Sequence, residues 1–370
     1  MSARLVRFAS AALLSAATLA SAQAQSNSKL PPNVPPPGTI VSVSPTGVRV
    51  VTAPPAGFDP MTASPAAKAQ YSIPPAPDST IAPEAYREWQ RAVAGPKKQV
   101  APVLSQMNIS NGPARIVGAA APSTTTEKVR SVTSSNWSGT SIVNNKNPFK
   151  VEAIIAEFVV PTARQAFGAC TGAWTYSSQW PGIDGNGSSD VLQAGVEVDA
   201  YCNGGTTASF YSAWVEWFPF NEIRVSSPSV SPGDLIFVEV WNTSPINGYV
   251  FFKNFSTQEL VTYQLTAPLG TTLRGNSIEW IVERPSINNS LAVLTNYIDV
   301  PWPHGVAWNY SARKPTYYYQ GKSPSSGSFY LMTMVDDGGN GISAATVESS
   351  DFLWFQDFGT ACGVSPSPPC

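Results

Sequence analysis

The sequence predicts an all-β protein, an antiparallel sandwich or barrel, and two observations support this class. From about residue 131 onward the chain is rich in Trp, Tyr, Phe and Val, in short runs separated by clusters of Gly, Asn, Ser and Pro. No long helical period and no internal repeat accompany these runs. Short strands with turn signals between them are typical of β-sandwiches and β-barrels. The candidate strands are Val151–Val159, Ser209–Glu216, Leu235–Val240, Tyr249–Phe255, Ser277–Val282, Ser328–Val335 and Asp351–Phe355.

Before this β-rich region, residues 1–24 have the features of a secretory signal peptide. Arg4 and Arg7 precede a short apolar run, and small residues spaced for cleavage follow at 20–24. This order is typical of signal peptides. A membrane anchor is the alternative, but a membrane span needs about 18 consecutive apolar residues and this run is shorter. We therefore expect a secreted, extracellular protein with no membrane segment.

Residues 25–131, here called the leader, are dominated up to about residue 80 by Pro, Ala, Ser and Thr. This composition cannot bury enough apolar surface to fold alone, so we expect the leader to be largely disordered. One short amphipathic helix is predicted near 83–94, because Pro83 suits a first helical position and Gly95 suits the end. Residues 132–370, here called the domain, contain the candidate strands.

Charge is unevenly divided between these two parts. The leader carries ten basic and five acidic residues, whereas the domain carries ten basic and 19 acidic residues. The formal net charge of −2 argues against a nucleic-acid partner, because such proteins carry a basic excess. Two interpretations of the leader stay open. It is either a solvated linker, or a pro-segment that lies on the acidic domain and detaches when carboxylates become protonated at low pH.

The four cysteines are expected to form disulfides, because export leads to an oxidising environment. Four cysteines allow three pairings, and we favour the local one, Cys170–Cys202 with Cys362–Cys370. A metal site is the alternative. It is disfavoured because the sequence contains no Cys-x-x-Cys motif and the spacings are long.

The single histidine, His304, restricts the available chemistry. It excludes zinc sites with two or three histidine ligands. As the base of a Ser or Cys triad it would need an aimed nucleophile, and its Pro-rich loop offers none. Motifs for dinucleotides, phosphate loops, His-Glu-x-x-His zinc sites and Gly-x-Ser-x-Gly nucleophiles are also absent from the sequence. If the protein is an enzyme, we expect carboxylates to carry its acid–base chemistry, with no metal or cofactor.

Carboxylates and one amide alternate with apolar residues in three segments of the domain. Burial beside Trp or Ile raises the pKa of a carboxyl and can prepare a general acid or base. The alternative is that each Glu faces solvent and that the Trp residues belong to the sandwich core. Alternation predicts three sets of residues, each with a face in common. These sets are Val191, Gln193 and Gly195; Trp214 and Glu216; and Glu279, Ile281 and Glu283.

Six short motifs, taken in order, resemble the glutamic peptidases, or eqolisins. Each motif is weak alone, but their order over about 150 residues is specific, and the resemblance covers roughly residues 134–358. The motifs are Asn136-Trp137-Ser138-Gly139, Trp180-Pro181-Gly182-Ile183-Asp184-Gly185, Leu192-Gln193-Ala194-Gly195-Val196, Ala213-Trp214-Val215-Glu216-Trp217-Phe218-Pro219, Pro232-Gly233-Asp234 and Glu279-Trp280-Ile281-Val282-Glu283-Arg284-Pro285.

The resemblance implies a concanavalin A-like, lectin-like jelly roll of two antiparallel sheets and a pepstatin-insensitive acid endopeptidase without cofactor. It places the catalytic dyad on Gln193 and Glu279, with Glu283 as the fallback. It further implies polypeptide substrates and a leader that acts as an intramolecular inhibitor until it is removed on activation. We expect the activating cut near Arg130, and we expect a monomer. The positions expected to bind substrate are Trp180, Asp184, Glu197, Trp214 and Glu216.

Two other classes of function remain as alternatives. A secreted glycoside hydrolase could use a carboxyl pair such as Glu216 and Glu279 in a Trp-lined cleft. A non-catalytic β-sandwich could stack its Trp residues on sugars. Neither gives Gln193 a necessary role. A peptidase-like fold without activity is a third possibility, which the presence of both dyad residues disfavours.

Overall fold

The computed structural model describes residues 40–42, 47–119, 129–144, 150–164 and 170–358. Two large sheets pack face to face in this part of the chain, which confirms the all-β class and the antiparallel sandwich. The segment 1–24 and the pair Cys362–Cys370 lie outside the described residues. Cys170 and Cys202 form the expected disulfide. Among the described helices, none has the length and apolar character needed to cross a membrane.

The two described helices belong to the leader, and strands make up most of the domain. The helices are α1 (Pro65–Gln70) and α2 (Pro83–Ala94). The strands are β1 (Ile40–Ser42), β2 (Val48–Val50), β3 (Lys98–Gln99), β4 (Leu104–Met107), β5 (Ile109–Ser110), β6 (Ile116–Ala119), β7 (Val129–Ser134), β8 (Trp137–Val143), β9 (Ala153–Val159), β10 (Ala163–Arg164), β11 (Trp174–Thr175), β12 (Ser178–Ile183), β13 (Val191–Asn203), β14 (Thr206–Phe218), β15 (Ile223–Val225), β16 (Leu235–Ser244), β17 (Asn247–Asn254), β18 (Glu259–Thr266), β19 (Ser277–Glu283), β20 (Ser286–Ile287), β21 (Ser290–Leu291), β22 (Asn296–Tyr297), β23 (Val300–Trp302), β24 (His304–Trp308), β25 (Tyr317–Tyr319), β26 (Ser328–Val335), β27 (Gly341–Ser349) and β28 (Phe352–Asp357).

The larger sheet, here called the front sheet, has the strand order β1-β4-β15-β14-β13-β12-β19-β8-β26-β27-β28-β23. The strands β6, β7 and β11 attach to it at its sides. The other large sheet, here called the back sheet, has the order β2-β18-β17-β16-β9-β24-β25, with β3 attached to β18. Nearly all pairs are antiparallel; β7–β26 and β3–β18 are parallel.

The main core fills the space between the two sheets. Along β13, Leu192, Ala194 and Val196 point into this core and are completely buried. Successive side chains of a strand point to opposite faces, so the residues between them point outward. The outer face of the front sheet therefore carries Gln193 and its neighbours. The alternation deduced from the sequence is confirmed for β14 too, since Val215 and Trp217 lie in the core and Trp214 lies outside it.

The parts of the leader that the structure describes lie on both outer faces of the sandwich. Helix α2 has the predicted bounds and lies on the back sheet, where Trp89 is buried among apolar residues of that sheet and donates from Nε1 to Pro74 O at 3.2 Å. This partner surface stabilises a helix too short to persist alone. Further along, residues 104–119, here called the crossing segment, join the front sheet through β4 and β6, and residues 111–115 between these strands pass over its outer face. The expected boundary at 131–132 lies inside strand β7.

Candidate active site

The outer face of the front sheet brings the proposed dyad residues into one row. Gln193 on β13 pairs with Gly182 on β12, and Gly182 pairs on its other side with Glu279 on β19. Neighbouring strands lie about 4.8 Å apart, so the two Cα atoms are about 10 Å apart with a glycine between them. Both side chains project from the same face over Gly182. A Cβ at Gly182 would lie 2.7 Å from Cζ3 of Trp180, which explains the glycine.

Gln193 is completely buried and uses its amide nitrogen as a donor. Nε2 donates to the backbone carbonyl of Asn111 in the crossing segment and to Oε2 of Glu216 at 3.2 Å. Its Oε1 has no hydrogen-bond partner among the described residues. An amide in this position can hold a peptide carbonyl by donation and keep an acceptor free for a water molecule.

Glu279 is also completely buried. Its Oε1 accepts a hydrogen bond from the Ser141 hydroxyl at 3.2 Å, and Oε2 has no partner among the described residues. Burial raises the pKa of Glu279 well above its ordinary value, and the charge of Asp184 adds to the rise. Glu279 can therefore hold a proton at a pH where an exposed Glu has lost it.

Two further carboxyls of this face, Glu216 and Glu283, bind the backbone of the crossing segment. Glu216 Oε2 accepts from Asn111 N at 3.0 Å, and Glu283 Oε1 accepts from Gly112 N at 3.1 Å. Burial raises the pKa of both carboxyls well above the ordinary value, although hydrogen bonds to them oppose the rise. Glu283 also accepts from Trp180 Nε1 at 3.1 Å, which fixes the indole ring over the sheet.

Tryptophan rings form the apolar part of the same surface. Trp137 and Trp180 meet edge to face with their centroids 5.0 Å apart, and Trp214 belongs to the same buried cluster as Ile281. This arrangement lowers the polarity around the carboxyls, which is the physical cause of their raised pKa values. Trp180, Trp214 and Glu216 thus lie on one face; alternation predicted the shared face of Trp214 and Glu216, and the resemblance alone added Trp180.

Glu197, which was expected to bind substrate, lies on this face beside two acids that the sequence did not single out, Asp199 and Glu222. Burial and the charge of Asp199 raise the pKa of Glu197, and burial together with the charge of Glu222 raises that of Asp199. Burial, with the charge of Glu197 adding to it, also raises the pKa of Glu222. Asp199 could have been found from alternation, being six residues beyond Gln193. Glu222 follows a turn and gave no signal.

Asp184 differs from the other expected substrate-binding residues. Its carboxylate accepts from three successive backbone N–H groups, those of Arg274 at 2.6 Å, Gly275 at 3.0 Å and Asn276 at 2.7 Å. Asp184 has a positive φ of 67°. These contacts fasten the loop before β19, so Asp184 positions the strand that carries Glu279.

His304 lies away from this site, on the back sheet. The ligand atoms of Glu88, Glu157 and His304 lie within 4.8 Å of one another, but Arg91 forms ion pairs with both carboxylates and occupies the space between them. Burial lowers the pKa of His304, and the hydrogen bond and charge of Asp351 outweigh this effect and raise it. The cluster joins α2 of the leader to the domain.

The structure is a β-sandwich that carries a buried row of carboxyls, one amide and tryptophans on an outer face. This combination defines a class of protein that comparison with known families identifies. Residues 135–318 match the model of the Peptidase A4 family. This part of the chain belongs to that family, the glutamic peptidases or eqolisins.

Two curated relatives are similar over part of their length. Aspergillopepsin-2 of Aspergillus niger is 29% identical over 189 residues, which are 47% of this chain and 64% of the relative. Scytalidopepsin B of Scytalidium lignicola is 29% identical over 150 residues, which are 40% of this chain and 51% of the relative. The chain therefore spans less than two thirds of either relative.

Solved structures of the same family are also similar. Scytalido-glutamic peptidase with a transition-state analogue inhibitor aligns with a TM-score of 0.46 and 20% identity, over 60% of this chain and 98% of that one. Aspergilloglutamic peptidase from Aspergillus niger aligns with a TM-score of 0.41 and 28% identity, over 50% of this chain and 99% of that one.

Proposed function

We propose that this protein is a secreted acid-acting endopeptidase that hydrolyses peptide bonds with Gln193 and Glu279 as its catalytic dyad. The observation that carries the proposal is the hydrogen bond from Gln193 Nε2 to the backbone carbonyl of Asn111. The amide already binds a peptide carbonyl on the outer face of the front sheet. Membership of the peptidase family supports a peptide substrate for this face.

The geometry suits each chemical step. A peptide bond resists hydrolysis because water is a weak nucleophile and the tetrahedral oxygen carries charge. Gln193 Nε2 donates to that oxygen, and removing such a donor costs about 10²–10³-fold in kcat. The Glu279 carboxylate accepts a proton from the attacking water and returns it to the leaving nitrogen. Its raised pKa favours the protonated form, which gives the proton to the leaving nitrogen, so the attack of water depends on the ionised fraction of Glu279.

The acid working range follows from the carboxyls around the dyad. Glu216 and Glu283 share the face with Glu279, and burial raises the pKa of all three. These carboxyls stabilise the fold below their ordinary pKa of about 4.5, and this stabilisation is lost as the pH rises through the raised values. At neutral pH their ionised forms would repel one another beneath the substrate.

The position of the leader supports the view that this protein is synthesised as an inactive precursor. The crossing segment occupies the face on which a substrate would lie, with Gly112 held by Glu283 and Asn111 held by Glu216 and Gln193. A second peptide cannot reach Gln193 while this segment is present. Residues 1–24 direct export, so removal of the leader takes place outside the cell.

The experiment compares three forms of the secreted protein on denatured protein at about pH 3–4, where ordinary carboxyls titrate. The forms are the parent, Gln193→Ala and Glu279→Gln. Both variants are expected to lose at least about 10²-fold in kcat. Their matched controls are Gln356→Ala and Glu348→Gln, which lie on β28 and β27 at the far side of the same sheet.

Two results would overturn the proposal. Cleavage by both dyad variants at the rate of the parent would remove Gln193 and Glu279 from the mechanism. Activity on a polysaccharide without activity on protein would favour a glycoside hydrolase. Control variants that retain the parental rate exclude a general effect of substitution.

A further inference from the structure

The crossing segment contains one peptide bond whose carbonyl and N–H both contact side chains of the proposed dyad face. Before this bond, β4 pairs with β15 and β5 pairs with β20. After it, β6 pairs with β7 at the edge of the front sheet. Residues 111–115 between these strands are held by contacts other than strand pairing, and they pass over the row that contains Gln193.

The bond is the one between Asn111 and Gly112. Its carbonyl oxygen accepts from Gln193 Nε2, and its N–H, which belongs to Gly112, donates to Glu283 Oε1 at 3.1 Å. The preceding N–H, of Asn111, donates to Glu216 Oε2 at 3.0 Å. Asn111 is completely buried. A substrate carbonyl must occupy the same donor if Gln193 stabilises the tetrahedral oxygen.

We propose that Asn111–Gly112 is the bond that the protein cuts in its own precursor during activation. The inference rests on the proposed endopeptidase function. Water adds through its oxygen to the carbonyl carbon of Asn111, the C–N bond to Gly112 breaks, and the leaving nitrogen takes up a proton. The products are a carboxyl at Asn111 and an amine at Gly112, with the mass of one water added.

The two products are held differently after the cut. On the downstream side, Ala114 N donates to Gly185 O at 3.1 Å, and Arg115 N donates to Asn136 Oδ1 at 2.9 Å. Strand β6 adds its pairing with β7. The downstream product therefore stays on the domain with its new terminal amine beside Glu283. The upstream product, which ends at Asn111, leaves the substrate face only when β4 separates from β15 and β5 from β20.

The cut expected from the sequence near Arg130 lies at a different kind of position. Arg130 belongs to β7 and pairs with Tyr330 of β26, inside a parallel register of six residue pairs. A peptide must lie extended in the substrate site to be cut, so this strand would first have to leave the sheet. Asn111–Gly112 needs no such change, because it already lies on Gln193.

The test follows the purified full-length precursor after a shift from neutral pH to about pH 3–4, where ordinary carboxyls titrate. Intact mass and terminal sequencing identify the first cut, and the rate is measured over a range of precursor concentrations. We expect a first product that begins at Gly112, at a rate independent of concentration. A first cut elsewhere, or a rate proportional to concentration, would overturn the inference.

Two variants separate enzymatic cleavage from other routes. An Asn-Gly bond can also break without an enzyme, by attack of the Asn side chain on the main chain. The cut at Gly112 should therefore disappear in Gln193→Ala and persist in Gln356→Ala, and persistence in both variants would refute the inference. Gly112→Pro removes the N–H that Glu283 binds and should prevent the cut at this position.

A synthetic peptide of residues 104–118 keeps the test valid if a precursor variant fails to fold. The activated protein should cleave this peptide between Asn and Gly. If the protein digests denatured protein but cuts neither the precursor nor the peptide there, the inference fails and the endopeptidase function remains. If the acid-treated protein digests nothing and its precursor stays intact, the proposed function fails as well.

Discussion

Asp190, at the start of β13, offers a direct test of how burial controls the pH response of this fold. It is 3% exposed, and burial, with the charge of Asp184 adding to it, raises the pKa of Asp190 from 3.8 to about 6. A carboxyl whose pKa is raised on folding stabilises the fold below its unfolded pKa. This contribution is lost as the pH rises through the folded value.

The change to make is Asp190→Asn, which keeps the shape and removes the titration. A rise of about 2 pKa units corresponds to about 3 kcal/mol at 1.36 kcal/mol per unit, and about 2 kcal/mol of this stability is lost between pH 4 and pH 7. Relative to the parent, the variant should therefore lose about 2 kcal/mol less over this range. The comparison is made in the Gln193→Ala background, so that the precursor stays intact in acid.

Urea unfolding at several pH values measures this difference, because the free energy of unfolding extrapolates linearly to zero denaturant. Glu348→Gln is the control, since Glu348 is exposed and its replacement should stay within about 0.5 kcal/mol of the parent. If Asp190→Asn and the parent change in parallel between pH 4 and pH 7, burial does not control the ionisation of Asp190 and the reasoning is refuted.

Three further outcomes are expected for other parts of the molecule. Trp89→Ala leaves a cavity between α2 and the back sheet and should cost about 3–5 kcal/mol in urea unfolding of the precursor, with faster proteolysis of the leader; an unchanged midpoint would contradict this packing. Burial raises the pKa of Glu259, but hydrogen bonds, the first from Ser229 N, outweigh it and lower the pKa, so stability is present above pH about 4.5 and lost below it. Glu259→Gln should thus lose less stability on acidification than the parent, by up to about 1 kcal/mol. If thermal melts show that the variant and the parent lose the same stability between pH 7 and pH 3, the prediction is wrong. Cys170→Ser opens a disulfide loop with a sequence separation of 32 and should lower the free energy of unfolding by about 3–4 kcal/mol. Reducing the parent should give the same loss, and reducing the variant should give no further loss.

Alternation allowed much of the site to be predicted from sequence. A strand period of two residues is local, so it placed Gln193 with Gly195 and Trp214 with Glu216 before any register was known. The register itself is not local. That Gly182 separates Gln193 from Glu279 depends on two pairings between distant strands, and no single segment encodes it.

The crossing segment could not have been predicted in the same way. The hydrogen bond from Gln193 to Asn111 joins residues 82 positions apart, and nothing in the composition around Asn111 indicates that it lies across a sheet. The acid Glu222 was missed for a related reason. Its burial depends on neighbouring strands and on the charges that these strands bring close, which a single sequence does not reveal.

The attachment of the leader to both faces has a consequence for the reversibility of activation. Under the proposed function, the crossing segment of the intact chain is an inhibitor tethered to its own target, and such a tether gives an effective concentration on the order of millimolar. Cutting one bond between Asn111 and Gly112 ends the tether on the substrate face. The upstream piece is then held only by noncovalent contacts, and once these are lost it competes at its bulk concentration. Dilution would therefore make activation irreversible, whereas a concentrated preparation would inhibit itself.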